Sequence, residues 1–220
     1  MRVPSAVVLQ REYPRLRGHL HAFATVLSVP ALVWLVRAAH TTEAAVAAWI
    51  YGIAAVLCYL TSSSYHIAAR TERARAFMQR MDHSMIYVLI AGTFTPVGIL
   101  AMSGWWRWIL VALVWSGAAF GVALWIPRRP RLPRFGVALY IILGWAGLVA
   151  LPALARRPAN LVLVALAGVL YTVGAILFGR KMPKPHADWF GYHEYWHVIG
   201  VTAGALLFIV NFGLIAGNPL

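Results

Sequence analysis

Leu161-Val162-Leu163-Val164-Ala165-Leu166-Ala167-Gly168-Val169-Leu170-Tyr171-Thr172-Val173-Gly174-Ala175-Ile176-Leu177-Phe178 carries no charged side chain. Roughly 20 predominantly apolar residues are needed to cross the hydrocarbon core of a bilayer as a helix, and this stretch supplies them as a span over about 160 to 179. Comparable runs recur at about 20 to 39, 44 to 67, 83 to 103, 105 to 126, 135 to 155 and 194 to 215. Lipid offers no partner for backbone N–H and C=O groups, so a spanning segment must satisfy its own. None of these runs shows the alternating pattern of a membrane barrel. The sequence therefore predicts an all-α, polytopic membrane protein, a single seven-helix bundle over residues 1–220. Connections are short, and neither a composition shift nor a convincing internal repeat divides the chain.

The bulk composition agrees. Hydrophobic residues make up 61% of the 220 and charged ones 11%, with a mean hydropathy of +0.73, which excludes an ordinary soluble domain. Nineteen Lys and Arg against six Asp and Glu give a net charge of +13. In a soluble protein that balance would point to nucleic acid, but no basic, aromatic-interleaved soluble domain is present to receive it. The lone cysteine, Cys58, lies inside an apolar run and has no partner in the chain, so disulfides play no part. Residues 1 to 18 carry Arg2, Arg11, Arg15 and Arg17 without a small-residue cleavage site, and are read as a basic cytoplasmic segment rather than a signal peptide.

The basic residues mark orientation instead. Assigned to alternating sides of seven spans, one side receives that N-terminal segment together with Arg70, Arg73, Arg75 and Arg80, then Arg128, Arg129, Arg131 and Arg134, then Arg180, Lys181 and Lys184. Opposite fall only Arg37, Arg107, Arg156 and Arg157. The positive-inside rule then places the N-terminus in the cytoplasm and the C-terminus outside. Gly117-Ala118-Ala119-Phe120-Gly121 and Gly200-Val201-Thr202-Ala203-Gly204 fit the small-xxx-small spacing that lets helices approach closely, although chance in a Gly- and Ala-rich chain gives the same pattern. Nothing in the sequence specifies an oligomeric state.

This topology brings scattered polar residues to one depth. His66 ends the second expected span at the cytoplasmic side, Asp82 begins the third there, and His193 and His197 begin the seventh. His193 and His197 sit at i and i+4, on one helix face, so two imidazoles can turn toward a single metal ion. Taken singly, each histidine could equally be a hydrogen-bonded core residue or a solvated interfacial one. Asp82 could be no more than the N-cap of its span. Ser62, one turn before His66, could simply bond back to the preceding turn. His19, His21, His83 and His186 fall near the same face as spare ligands, with His40 outside.

His193-Glu194-Tyr195-Trp196-His197 also satisfies H-E-x-x-H, in which two histidines hold zinc and the glutamate is the base of a metalloprotease. Soluble enzymes of that type take a third ligand from downstream, and no His, Asp or Glu follows His197. A third ligand must come from upstream, and His66 is the best-placed donor.

Ser62-Ser63-Ser64-Tyr65-His66, Met81-Asp82-His83-Ser84 leading into Ala91-Gly92-Thr93-Phe94-Thr95-Pro96, and His193-Glu194-Tyr195-Trp196-His197 together resemble the hemolysin III branch of the progestin and adipoQ receptor family. The resemblance runs over nearly all the spans, and the family is similar in turn to alkaline ceramidases. It implies a zinc ion, Zn2+, held by His66, His193 and His197, with a water completing the shell and Asp82 and Ser62 contacting that water. Glu194 lies outside the family's pattern.

Three neutral imidazoles leave Zn2+ an open fourth position and can bring a bound water's pKa to about 7. Two classes of function follow. One is a zinc-dependent amidase or esterase whose partners are membrane lipids, with Asp82 and Ser62 managing the water. The other is a non-catalytic sensor or receptor, or a hemolysin-like pore, in which zinc ties the second and seventh helices together. A pore is expected to show polar positions along several spans, and these spans are mostly apolar. The location predicted for either class is integral and multi-pass, in a bacterial plasma membrane.

Overall fold

A computed structural model describes residues 14–125, 133–183 and 188–217. Arg2, Arg11, Arg128, Arg129, Arg131, Lys184 and His186, named above, lie outside the described residues, and of Arg134 only the backbone is described. The helices are α1 (His19–Ala38), α2 (Thr42–Ala68), α3 (Glu72–Pro96), α4 (Gly104–Trp125), α5 (Pro133–Gly144), α6 (Leu151–Leu154), α7 (Pro158–Gly179) and α8 (Tyr192–Ile215). Six of them, α1, α2, α3 with its continuation to Ala101, α4, α7 and α8, are long and apolar enough to cross a membrane.

Local chemistry sets most of the boundaries. Thr41 and Thr71 accept the backbone N–H groups of Ala44 and Ala74, each at 3.1 Å, and so cap α2 and α3. Glu43 and Glu72 add an acidic side chain in the first turn, where the helix dipole favours negative charge. Pro158 opens α7 at a position whose N–H would go unpaired in any case.

Two spans depart from the sequence reading. The third was expected from residue 83, with Asp82 at its start, but α3 begins at Glu72. Its first turns, rich in Arg73, Arg75 and Arg80, continue the helix past the apolar stretch, which hydropathy alone cannot register. Asp82 is thus an interior residue of α3, and Thr71 is the cap. At the far end Pro96 has no N–H for the carbonyl one turn back, and the helix loosens into a π-helical turn over Val97–Ala101. Two side chains supply donors there. Asn211 Nδ2 donates to the Thr93 carbonyl at 3.1 Å, and the Arg107 guanidinium donates to that of Ile99.

The fifth span, expected as one helix over 135 to 155, is instead α5, a 3-10 stretch Trp145–Ala150, and the short α6. Gly147 in the 3-10 stretch lies against Phe94, and a Cβ there would meet the ring at 2.6 Å. From its rise per residue the whole run is about 36 Å long, more than the hydrocarbon thickness of about 30 Å.

α8 occupies the middle of the arrangement, in contact with α1, α2, α3 and α7. The main apolar core lies where α3, α4 and α5 meet, around Tyr87, Leu110, Val114, Ala118 and Leu143. Both glycine pairs read from the sequence sit at helix contacts: Gly117 faces Leu143 and Gly121 faces Tyr87, while Gly204 faces the Tyr59 hydroxyl and Gly200 the Tyr171 ring. Large apolar side chains such as Phe23, Val26, Val33, Trp34 and Val162 are exposed on the outer helix faces. Such a surface suits lipid and not water. Trp105, Trp106 and Trp108 are exposed at the start of α4, as in the aromatic belt of a membrane interface.

Candidate metal centre

The last turn of α2 and the first turns of α8 meet at one end of the bundle. There His66, His193 and His197 offer one ring nitrogen each, all within 4.8 Å of one another. The Nε2 atoms of His66 and His193 are 3.1 Å apart, and the three ring centroids are separated by 4.7 to 5.2 Å. Three nitrogens sharing one zinc at about 2.0–2.1 Å in tetrahedral geometry lie about 3.4 Å from each other, so the donor set fits such an ion with small adjustment. His197 is 3% exposed, and its Nδ1 has no hydrogen-bond partner among the described residues.

α1 closes the group from the side. Gly18 turns into the helix with φ of 83°, and a Cβ at this residue would stand 2.7 Å from the His66 Cβ, so glycine meets both the backbone and the space requirement. One turn on, the His21 ring stacks on His197, with centroids 3.9 Å apart and planes 11° from parallel. The Phe178 ring from α7 lies against His193 in a T-shaped contact, with centroids 5.2 Å apart. These neighbours limit how far the two α8 imidazoles can rotate.

Ser62 and Asp82 line a cavity of about 170 Å³ together with His193 and His197. Ser62 is buried one turn below His66 and lies beside the Asp82 carboxylate. The back-bond expected of a serine in this stretch is made by its neighbour, Ser63 Oγ donating to the Leu60 carbonyl at 3.0 Å. His83 Nδ1 is 3.9 Å from Asp82 Oδ2 and donates to the Gln79 carbonyl at 2.8 Å. Away from the histidines the cavity wall is apolar, with Ile86, Ile90, Phe94, Trp145, Val164 and Leu207. Its lining residues on α8 reach from His193 to Leu207, about 21 Å apart along the helix axis.

Residues 9–209 match the family described as Haemolysin-III related. The chain belongs to the haemolysin III family. It is 34% identical over 194 residues to hemolysin-3 of Bacillus cereus, which covers 86% of this chain and 85% of that one. Identity to the hemolysin-3 homolog of Bacillus subtilis (strain 168) is 33% over 198 residues, or 87% and 90% of the two chains. A more distant similarity, 23% over 212 residues, joins it to the human monocyte to macrophage differentiation factor, over 91% of this chain and 84% of the other. The family resemblance carried by the Ser62–His66, Asp82 and His193–His197 motifs therefore holds along the length of the chain. This haemolysin III protein is an integral, multi-pass membrane protein.

Two residues beside the three histidines take places that their local sequence does not reveal. His21 was one of several spare histidines at this depth, and nothing in its local sequence distinguishes it from His19. Glu194 is 1% exposed and is absent from the cavity wall. One of its oxygens pairs with the Arg17 guanidinium and the other accepts the Gly191 backbone N–H at 2.8 Å, which is the glutamate half of a capping box, glycine having no side chain to supply the other half. A separation of 177 residues hides the first contact from any local reading.

Proposed function

We propose that this haemolysin III protein is a zinc-dependent hydrolase acting on a lipid amide or ester from the cytoplasmic side of its membrane. One observation carries the reading: two members of the three-histidine group, His193 and His197, line one end of an apolar cavity whose wall there also holds a carboxylate and a hydroxyl. A structural ion needs neither the cavity nor Asp82.

The roles divide by position. His66, His193 and His197 would hold the ion, and a zinc ion so held supplies an acidified water and a positive charge to polarise a carbonyl. Asp82 is the proton acceptor, its carboxylate oriented by the neighbouring Ser62 hydroxyl and approached by His83. Ile86, Ile90, Phe94 and Leu207 bind an acyl chain and exclude water from the reacting end. The basic residues support the orientation: Arg17 reaches Glu194, Arg75 lies over the Tyr65 ring beside His66, and Arg15 over Trp189 ahead of α8. All three are at the histidine end, which the positive-inside rule assigns to the cytoplasm.

The hemolysin name of the Bacillus relatives favours a second reading, a membrane-lytic or pore-forming protein. Lipid turnover separates the two. Purified wild type in vesicles containing ceramide, N-acyl and O-acyl lipids should release fatty acid, while Asp82→Ala retains zinc and releases only background. Equal, background-level release by both proteins refutes the hydrolase; dye leakage from the same vesicles without fatty acid supports the pore.

A further inference from the structure

Glu194 stands between two of the candidate ligands in sequence, yet its carboxylate is turned away from them. It leaves the helix about 100° round from His193, and both oxygens are engaged, one by Arg17 and one by the Gly191 N–H. The base of an H-E-x-x-H site must keep an oxygen directed at the water it deprotonates. Here neither oxygen faces the cavity.

The other end of the pair is tied down as firmly. Backbone N–H groups of Arg15 and Leu16 donate to the carbonyls of Asp188 and Trp189, at 3.1 and 3.4 Å. The Arg15 guanidinium covers the Trp189 ring at 4.9 Å. Residues 14–18 therefore run alongside 188–191, and Gly18 then delivers the chain into α1 against His66, with His21 stacked on His197 one turn further. Removing two charges from water is costly in an apolar surrounding, and a buried pair of this kind is weak evidence for added stability but a means of fixing one arrangement. What this one fixes is the first turn of α8 relative to the start of α1.

Building on the metal reading above, we propose that Glu194, clamped by Arg17, is a positioning residue for the zinc centre: the pair sets the rotation and depth of the α8 turn that carries His193 and His197 opposite His66. Outer groups that orient metal ligands are worth about 10- to 100-fold in metal affinity. The buried charge left by a single substitution could prevent folding, so the main variant is the neutral pair Arg17→Met with Glu194→Gln, with Arg17→Lys as the conservative companion.

The test measures the zinc dissociation constant of metal-stripped, full-length protein in detergent by chelator competition, together with the thermal shift on adding zinc. The double variant is expected to bind zinc 10- to 100-fold more weakly and to show a smaller zinc-induced shift. Arg17→Lys should recover most of the affinity, and Glu43→Gln, at the opposite end of the bundle, should leave it unchanged. A folded double variant with the wild-type constant overturns the proposal, as does Glu194→Gln that keeps zinc affinity while lipid turnover collapses, since that marks a base. Wild type that takes up no zinc refutes the metal reading and this proposal with it. Zinc-binding wild type with unaltered variants refutes the proposal alone.

Discussion

Two arginines reach a glutamate across the bundle, one at each end, and their surroundings differ. Arg17 and Glu194 pair where the side chains are 13% and 1% exposed, whereas Arg107 and Glu43 approach to 3.7 Å with exposures of 24% and 64%. At the histidine end His66 meets His193, His21 stacks on His197 and Ser62 lies beside Asp82, so side-chain contacts join α1, α2, α3 and α8. At the far end Arg107 mainly repairs a local defect, the loosened turn after Pro96, and its glutamate lies in the interface. A membrane protein of this composition has only six acidic residues. Burying one of them completely at the histidine end is what a precisely held site requires and what a plain lipid-facing bundle does not.

Removing a ligand should give the largest effect at the buried end. His66→Ala or His197→Ala is expected to lower zinc from near one per chain to background by elemental analysis. The thermal stabilisation by added zinc that is expected of wild type should be absent from these variants. Next comes Asp82→Asn, which keeps the shape of the cavity wall and removes the proton acceptor. Lipid turnover is expected to fall by about 10²- to 10⁴-fold with zinc content unchanged. Zinc lost together with activity would assign Asp82 to the ligand set instead.

These contrasts also show what the sequence could reveal. The convergence of His66 with His193 and His197 was legible because each ends or begins an apolar run, and counting runs fixes which ends share a side. Asp82 was misplaced as a candidate cap because the polar, arginine-rich start of α3 is helix that hydropathy does not mark. The fifth span was legible in length but not in form: its change to 3-10 geometry lies beside Phe94 of a different helix, a tertiary cause. Glu194 illustrates the limit most clearly. Its motif matches that of a protease base, the sequence offers that reading no downstream third ligand, and the fold, by bringing Arg17 across the chain, gives the residue another partner.

Moving toward the opposite end, Asn211 tests whether the repaired turn matters as much as the site. Its Nδ2 supplies the Thr93 carbonyl with a donor where the π-helical turn begins. In the bilayer, interhelical hydrogen bonds average about 0.6 kcal/mol and reach about 1.7, so Asn211→Leu should cost about 1 kcal/mol in unfolding measurements in bicelles. Zinc affinity should stay at the wild-type value, because the residue lies about 21 Å along α8 from His197. A large loss of zinc in this variant would mean that the two ends are coupled through α8 and that the comparison drawn between them is too sharp.

Glu43→Gln should change least. The carboxylate is mostly exposed and 3.7 Å from Arg107, and pairs in such settings contribute about 0–1 kcal/mol because solvent already screens them. Arg107 keeps its bond to the Ile99 carbonyl when the charge opposite is removed, so the turn after Pro96 stays supported. Glu43 also sits in the first turn of α2, where the helix dipole favours a negative side chain by about 0.3–1 kcal/mol at low salt. At low salt the two contributions add to about 0.3–2 kcal/mol, and at physiological salt the loss should fall below about 1 kcal/mol, since both are screened. A salt-insensitive loss of several kcal/mol would show that the far end, too, is held by a desolvated ion pair, and the contrast with Arg17 and Glu194 would then be one of partners and not of burial.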